Sequence, residues 1–461
     1  MEIVILAAGK GTRMYSDSPK VMHSIGGKAM LEHVIDTALT LNPQKIHIVV
    51  GFGSDSVRGA LGGHARAALF NWVEQLEQLG TGHAVSQAID DIETDAAANP
   101  VLVLFGDVPM ITQETLKTVV SCCSDDCLSL LTFHAQNPGG LGRIIRKGDG
   151  GVTAIIEERD ASEEQKKINE VNSGIMAIPA NRLADWLDAL ENNNDQQEYY
   201  LTDIVALAVA EGKQVVATTL SNEMEVMGVN NKQQLALLER HFQMTKAEQL
   251  MSAGVTLRDP ARLDIRGEVS CGKDVVIDSN VVLEGTVSIG ANSNIGSNCV
   301  IKDANIGANV QVLPGTQIEG AEIGDDASVG PMARLRPGTV LGKATKIGNF
   351  VETKNAVIGN GSKASHLAYL GDVELGENCN IGAGTIVCNY DGVNKHKTTL
   401  GNNVFVGSNS VLVAPVILED GAFVAAGSAI NSTVPEGSLA VARGKQRNIS
   451  GWKRPVKKTG E

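Results

Sequence analysis

The chain is expected to fold as an α/β half built on a mostly parallel sheet, followed by a parallel β-helix. Three observations in its 461 residues predict this. Apolar runs alternate with helical patterns through the first half, branched aliphatics recur every six positions from Ile277, and one unbroken helical stretch joins the two regions. A chain of this length is also too long for one ordinary core, so two or three domains are expected.

The opening strand is Ile3 to Leu6 of "MEIVILAAGKGTRM", which falls into Ala7, Ala8 and Gly9. Gly9 and Gly11 allow backbone N–H groups to approach an anion closely. Spacing excludes two familiar phosphate loops. Gly9-Lys10-Gly11 leaves one residue where a Walker loop needs four, and Met14 stands where a dinucleotide fingerprint needs its third glycine. A phosphate-binding loop of another kind is expected. "KIHIVVG", "VLVLFGDVPM", "LLTF" and "GIMAI" read as further strands, with ligands expected at the carboxyl ends. After "VLVLF" the chain turns through Gly106 and Asp107, where the acid can either hold Mg²⁺ between phosphates or cap the next helix.

"NKQQLALLERHFQMTKAEQLMSAG" places Leu235, Leu238 and Phe242 on one helical face, with no Pro or Gly before Gly254. It predicts a connecting helix of about six turns. The expected organisation is residues 1–232, a helical linker at 233–253, and residues 254–461.

The six-residue register runs Ile277, Leu283, Ile289, Ile295, Ile301, slips by one at Ile306, and returns as Ile323, Val329, Leu335, Leu341, Ile347. Six is far from a multiple of 3.6, so this is not a helix. It fits one side of a triangular coil: a short strand, one inward aliphatic, then a corner of Gly, Asn or Asp. Stacked coils bury a continuous aliphatic column. A sandwich would instead show alternation with period two and turns every 8–12 residues. "GTIVCNYDGVNKHKTT", residues 384–399, breaks the pattern and is expected on one face, as a binding loop or as plain solvated chain.

Composition narrows the function. A net charge of −14 excludes a nucleic-acid binder, since no basic surface of useful size is available. No apolar run is long enough to cross a bilayer, and Glu2 stands where a signal peptide would be basic, so a cytoplasmic protein without membrane partners is expected. Seven scattered cysteines suit a reducing compartment. Cys122, Cys123 and Cys127 lack a paired C-x-x-C and read as structural. The tail "ARGKQRNISGWKRPVKKTG" is locally basic, either a solvated terminus or a clamp for a phosphorylated ligand.

These motifs closely resemble, over nearly the full length, the bacterial bifunctional enzymes that acetylate glucosamine 1-phosphate and then transfer UMP to the product. "LAAGKGTRM" followed by "PK" resembles the sugar-nucleotidyltransferase signature, so the first loop is expected to hold the phosphates of UTP. The resemblance implies a left-handed β-helix; handedness does not follow from the spacing. It places uridylyl-substrate contacts on Leu6, Ala7, Ala8, Gly9 and Lys20, then on Gln75, Gly80 and Thr81 of "EQLEQLGTGHA". They continue on Phe105, Gly106 and Asp107, on Gly142 and Glu157, and on Asn172 and Asn230. Phe105 sits where relatives can have tyrosine, and only backbone contact is expected there. Asp107 and Asn230 inherit the Mg²⁺ site, with Arg13 and Lys20 as charge-neutralising catalytic groups.

For the acetyl half the same resemblance places a general base at His366 of "SKASHLAYLGD". Acceptor contacts fall on Arg336, Lys354, Tyr369 and Asn380, and acetyl-CoA contacts on Ala383, Asn389, Tyr390, Ser408, Ala426 and Arg443. Family members pack three prisms side by side, which implies a homotrimer whose acetyl sites lie between chains. The implied role is supply of UDP-N-acetylglucosamine for peptidoglycan and lipopolysaccharide precursors. Two rival readings are a single-activity sugar nucleotidyltransferase with a regulatory β-helix, and a β-helix that is only a trimerisation scaffold. His366, Lys354 and the 384–399 insertion are features that a scaffold does not need.

Overall fold

The computed structural model describes residues 1–94 and 99–455. They form two compact units, Met1–Gln243 and Met244–Glu461. In the first unit a sheet runs in the order Gln214–Leu220, Cys127–His134, Glu170–Pro179, Pro100–Phe105, Glu2–Ala7, Lys45–Val50, Phe70–Glu74. Neighbours pair in parallel, except that Glu170–Pro179 runs antiparallel to both of its partners. A hairpin of Arg143–Arg146 and Val152–Ile156 joins its edge.

The central strands are apolar at successive positions because both faces of the sheet are covered. Ile3 and Ile5 share a buried cluster with Leu31, Val34 and Ile35 of helix Met30–Leu39. Val4 and Leu6 point the other way, into a cluster with Val85, Leu183 and Trp186. Three parallel strands therefore deliver the segments after Ala7, Val50 and Phe105 to one edge. The Gly106 N–H donates to Leu6 O at 3.0 Å, which sets the second loop beside the first. Asp107 does not cap the following helix. Thr112 does, accepting from Thr115 N at 3.3 Å.

Helix Lys232–Ser252 spans 21 residues, the expected six turns. Within the first unit Leu238 is fully buried and packs with Leu235 and Phe242 against Met14, Ile25 and Met30. Among the described residues, no helix is long and apolar enough to cross a membrane.

The second unit is the expected solenoid. One parallel sheet stacks eleven short strands from Thr256–Leu257 to Leu439–Ala440. The other two faces form a second sheet, in which Val300–Ile306 pairs with both Gln317–Glu319 and Ala321–Ile323. Partners lie 18 or 17 residues apart, as in Leu263 with Val281 and Tyr369 with Ile386. Every aliphatic of the six-residue register is buried, from Ile277 to Ile347. Each contributes roughly 1.5–3 kcal/mol by leaving water. The slip at Ile306 has a local cause: Gly285 and Thr286 of one coil oppose the single Asp303 of the next, whose carboxylate accepts from Thr286 N at 3.0 Å.

One corner of the coil needs a left-handed backbone on every turn. Asn280, Asn298 and Gly315 take it in the early coils, and Gly384, Asn409 and Gly427 in the late ones. Between them the same corner is held by Met332, Phe350 and Leu367, at φ of 52, 56 and 49°. Glycine and asparagine tolerate this conformation, whereas a bulky side chain loses roughly 1–2 kcal/mol there. All three side chains are more than half exposed, at 58, 55 and 58%.

Candidate functional sites

The edge of the first sheet opens into two adjoining pockets. Leu6, Ala7, Ala8 and Gly9 line the first, with Lys20, Gln75, Gly80 and Thr81 opposite. Arg13, Asn172 and Asn230 line the second. Phe105, Lys20 and Asp107 belong to both and mark where they meet. The Phe105 ring is thus part of the wall, beyond the backbone contact expected of it.

Charge concentrates at that junction. The Lys20 ammonium pairs with the Asp107 carboxylate and also lies 3.3 Å from Asn230 Oδ1. Arg13 donates to the same Asn230 oxygen at 2.9 Å. Asn230 is brought there by its backbone: Val229 N–H donates to Asp107 O at 3.0 Å, and Asn230 N–H to Gln234 Oε1 at 2.7 Å. A carboxylate and an amide oxygen therefore converge on one cation. Oxygen donors of this kind suit a hard divalent ion that takes its remaining ligands from phosphates and water.

Two expected residues act from behind the wall. Gly142 O accepts from Asn172 N at 2.9 Å and so positions that asparagine. Asn172 Oδ1 is buried, and no described group donates to it. Glu157 is largely enclosed beside Thr202, whose hydroxyl donates to it at 3.1 Å. Burial pushes its carboxyl above the ordinary range, with Thr202 acting against the shift. Sequence reasoning missed Arg143, next to Gly142. It is buried, pairs with Glu158 at 2.5 Å and donates to Pro138 O at 2.8 Å, fixing the segment that walls the second pocket.

The cysteine cluster carries no such site. Burial pushes the Cys123 thiol up to about 12, which leaves it protonated and inert. Among the described residues, no group of three or more His, Cys, Asp or Glu side chains could hold a metal.

On the solenoid, His366 ends the strand Lys363–His366 and stands in register with Asn349 one coil earlier. Asn349 Oδ1 lies 2.7 Å from His366 Nδ1. An amide oxygen only accepts, so Nδ1 carries the proton and Nε2 keeps its lone pair on this exposed ring. Arg336 donates to Glu352 at 2.8 Å, and Glu352 stands in register with Tyr369. Lys354 is paired with Gly371, where a Cβ would lie 2.4 Å from the Tyr369 hydroxyl. The contacting Lys395 side chain, with Arg336 nearby, holds the Lys354 pKa below its ordinary value. Crowded cations of this kind are relieved by an anion. Asn380 pairs with Lys363, on the sheet that carries His366.

The coil carrying the insertion is longer than its neighbours: Ile386 pairs with Val411, 25 residues on. The extra chain closes on itself. Asp391 accepts from Asn394 N at 2.7 Å, His396 Nε2 at 2.7 Å and Val393 N at 2.8 Å, which hold its carboxyl far below the usual range. Asn389 is buried and bonds Asp372, whereas Tyr390 is 60% exposed. Ala383, Ser408 and Ala426 stack on successive coils: Asn409 N donates to Ala383 O at 2.7 Å, and Gly427 N to Ser408 O at 2.8 Å. Arg443 is pinned to the last of these, donating to Ala426 O at 2.7 Å. Asn349 and Asp372 escaped notice in the sequence, although a signal existed. Asn349 precedes His366 by 17 residues and Asp372 precedes Asn389 by 17, one coil in each case.

Residues 3–174 match the MobA-like NTP transferase domain family. Residues 265–351 match the GMPPB C-terminal domain family, and residues 397–432 match the hexapeptide repeat of succinyl-transferase. The bifunctional protein GlmU of Marinobacter nauticus is 55% identical over 457 residues, covering 99% of both chains. The same-named protein of Pseudomonas entomophila is also 55% identical over 99% of both. That of Stutzerimonas stutzeri is 53% identical over 99% of this chain and 100% of its own. With both sites built on one chain and matched end to end by these relatives, the chain belongs to the bifunctional GlmU family.

Proposed function

We infer that the chain acetylates glucosamine 1-phosphate with acetyl-CoA and then transfers UMP from UTP to the product, releasing pyrophosphate and UDP-N-acetylglucosamine. The observation that carries this reading is the pair of separate, fully furnished sites. One gathers Arg13, Lys20, Asp107 and Asn230 around a phosphate loop, and the other holds an oriented His366 beside cations. We assign residues 1–232 to uridylyl transfer, 233–253 to a linker and 254–461 to acetyl transfer.

In uridylyl transfer a phosphate oxygen of N-acetylglucosamine 1-phosphate attacks the α-phosphorus of UTP, and the bond to pyrophosphate breaks. The nucleophile is already anionic, so no general base is needed. The barrier is electrostatic, and Lys20, Arg13 and the backbone amides after Ala8 neutralise and align the phosphates. The donor set of Asp107 and Asn230 fits Mg²⁺, which they would hold; when bound it supplies further charge neutralisation across the phosphates. Leu6 to Gly9, Gln75, Gly80 and Thr81 enclose the nucleotide. Asn172, with its unpaired oxygen, Gly142 and Glu157 serve the sugar.

In acetyl transfer the ammonium of glucosamine 1-phosphate must lose a proton before it can attack the thioester carbonyl. His366 Nε2 takes that proton, and the coenzyme A thiolate leaves as the amide bond forms. Arg336, Lys354 and Tyr369 receive the sugar phosphate together with Asn380. Ala383, Asn389, Tyr390, Ser408, Ala426 and Arg443 line the path of acetyl-CoA.

A homotrimer is part of this reading. Its support is the corner of Met332, Phe350 and Leu367, where apolar side chains stand in a backbone that disfavours them, directly after Asn349 and Leu367's neighbour His366. A neighbouring prism that covers them completes the acetyl site. The products serve cytoplasmic cell-wall precursor synthesis. The test is thiol release from acetyl-CoA with glucosamine 1-phosphate, run beside pyrophosphate release from UTP with N-acetylglucosamine 1-phosphate and Mg²⁺. Both activities are expected. Pyrophosphate release without thiol release would make the solenoid a scaffold on a single-activity nucleotidyltransferase.

A further inference from the structure

Gln75 is 4% exposed at the wall of the nucleotide pocket. Its Nε2 lies 3.2 Å from Gly80 O and 3.1 Å from His83 Nδ1. A carbonyl oxygen only accepts, so the first contact fixes which end of the amide is nitrogen. His83 Nδ1 must then accept the second N–H, and the imidazole proton sits on Nε2. That proton faces the side-chain amide of Gln87 3.3 Å away, whose oxygen can receive it after a half-turn. Helix Thr81–Ser86 carries His83, and the Ser86 hydroxyl donates to His83 O at 2.9 Å.

Both hydrogens of the Gln75 amide are therefore spent on the protein. What remains toward the pocket is Oε1, an acceptor without a donor role. An acceptor recognises a base edge that offers a ring N–H, the imide of uracil or thymine. It opposes the ring nitrogen lone pair of cytosine. We propose that His83 is a positioning residue for base selection: its neutral Nδ1 locks the Gln75 amide so that only a pyrimidine imide is accepted. This rests on the assignment of the first pocket to UTP. Without the lock, the amide can rotate and present its N–H₂ end, which suits cytosine.

The test compares kcat/KM for UTP and CTP in the full-length enzyme, with acetyl transfer measured in parallel as a control on folding. His83→Leu removes the acceptor. It is expected to lower the UTP:CTP preference roughly ten- to a hundredfold, the range set by leaving a buried donor unpaired. The change should fall mainly in KM. His83→Asn returns an oxygen acceptor near the place of Nδ1 and is expected to restore most of the preference. Equal loss of both nucleotides in His83→Leu without rescue by His83→Asn would reduce His83 to packing and overturn the proposal. So would an unchanged preference in His83→Leu. Gln75→Leu separates the underlying reading: if it too leaves the preference untouched, the base is read elsewhere and the pocket assignment fails instead.

Discussion

Replacing Asn349 by alanine removes the one side chain that holds His366 in place from behind. The bond spans 2.7 Å on an exposed ring. A net hydrogen bond of this kind contributes about 0.5–1.5 kcal/mol. If all of it acts on the reactive orientation, kcat for acetyl transfer falls about two- to twelvefold. That is far less than the hundredfold or greater loss expected from His366→Ala, the usual worth of a positioned base. Asn349→Asp keeps an acceptor in the same place and adds negative charge, which favours the protonated imidazole. The acid limb of its pH–rate profile therefore moves to higher pH, while the alkaline plateau stays close to the parent. Thiol release from acetyl-CoA, followed across the pH range where histidine titrates, reads both effects. Pyrophosphate release should not change in either variant. An Asn349→Ala enzyme with the parent kcat throughout, or an Asn349→Asp plateau as low as that of Asn349→Ala, would refute the orienting role.

Asp107→Asn or Asn230→Ala should reduce Mg²⁺-dependent pyrophosphate release by a factor on the order of a hundred or more, with thiol release intact; near-normal uridylyl transfer in either would remove the metal assignment. Glu157 carries a raised pKa because it is buried, so the folded state binds its proton more tightly than the unfolded chain, and stability is lost as pH rises past the ordinary value of 4.5. Glu157→Gln should accordingly raise Tm at neutral pH, with the gain vanishing below about pH 4.5; a Tm difference constant with pH contradicts this. Phe350→Asn combined with Leu367→Asn suits the left-handed corner and should stabilise each coil locally, yet it should weaken association. Light scattering on dilution should show a smaller mass and a parallel fall in thiol release, and an unchanged mass would count against the interface.

The solenoid was legible because its information is local and repeated: an inward aliphatic and a corner residue define each side. Even the slip at Ile306 was visible, though its cause was not, because Gly285, Thr286 and Asp303 meet only when coils stack. The corner rule predicted Gly, Asn or Asp and failed at Met332, Phe350 and Leu367, where side-chain exposure overrode the backbone's preference. In the first unit the phosphate loop was readable as one contiguous string. The contact between Arg13 and Asn230 joins positions 217 residues apart, and no spacing rule reaches that far. Asn172 is placed by a break in strand register before Met176, which leaves no mark in composition. For such residues, resemblance to a family supplied what periodicity could not.

The constant offset between rungs makes length in the second unit a counted quantity. A single inserted residue turns every later side chain of its strand to the wrong face. An insertion or loss of 18 residues, such as the coil from Val276 to Ser293, brings each remaining strand back onto an equivalent partner. Because each coil touches only its neighbours, His366, Arg336 and Arg443 would keep their mutual places through such a change. The whole acetyl site would move along the prism by one strand spacing, about 4.8 Å. The coils below residue 330 thus act as a graduated rod, whose length can be altered in whole steps without retuning the chemistry carried above it.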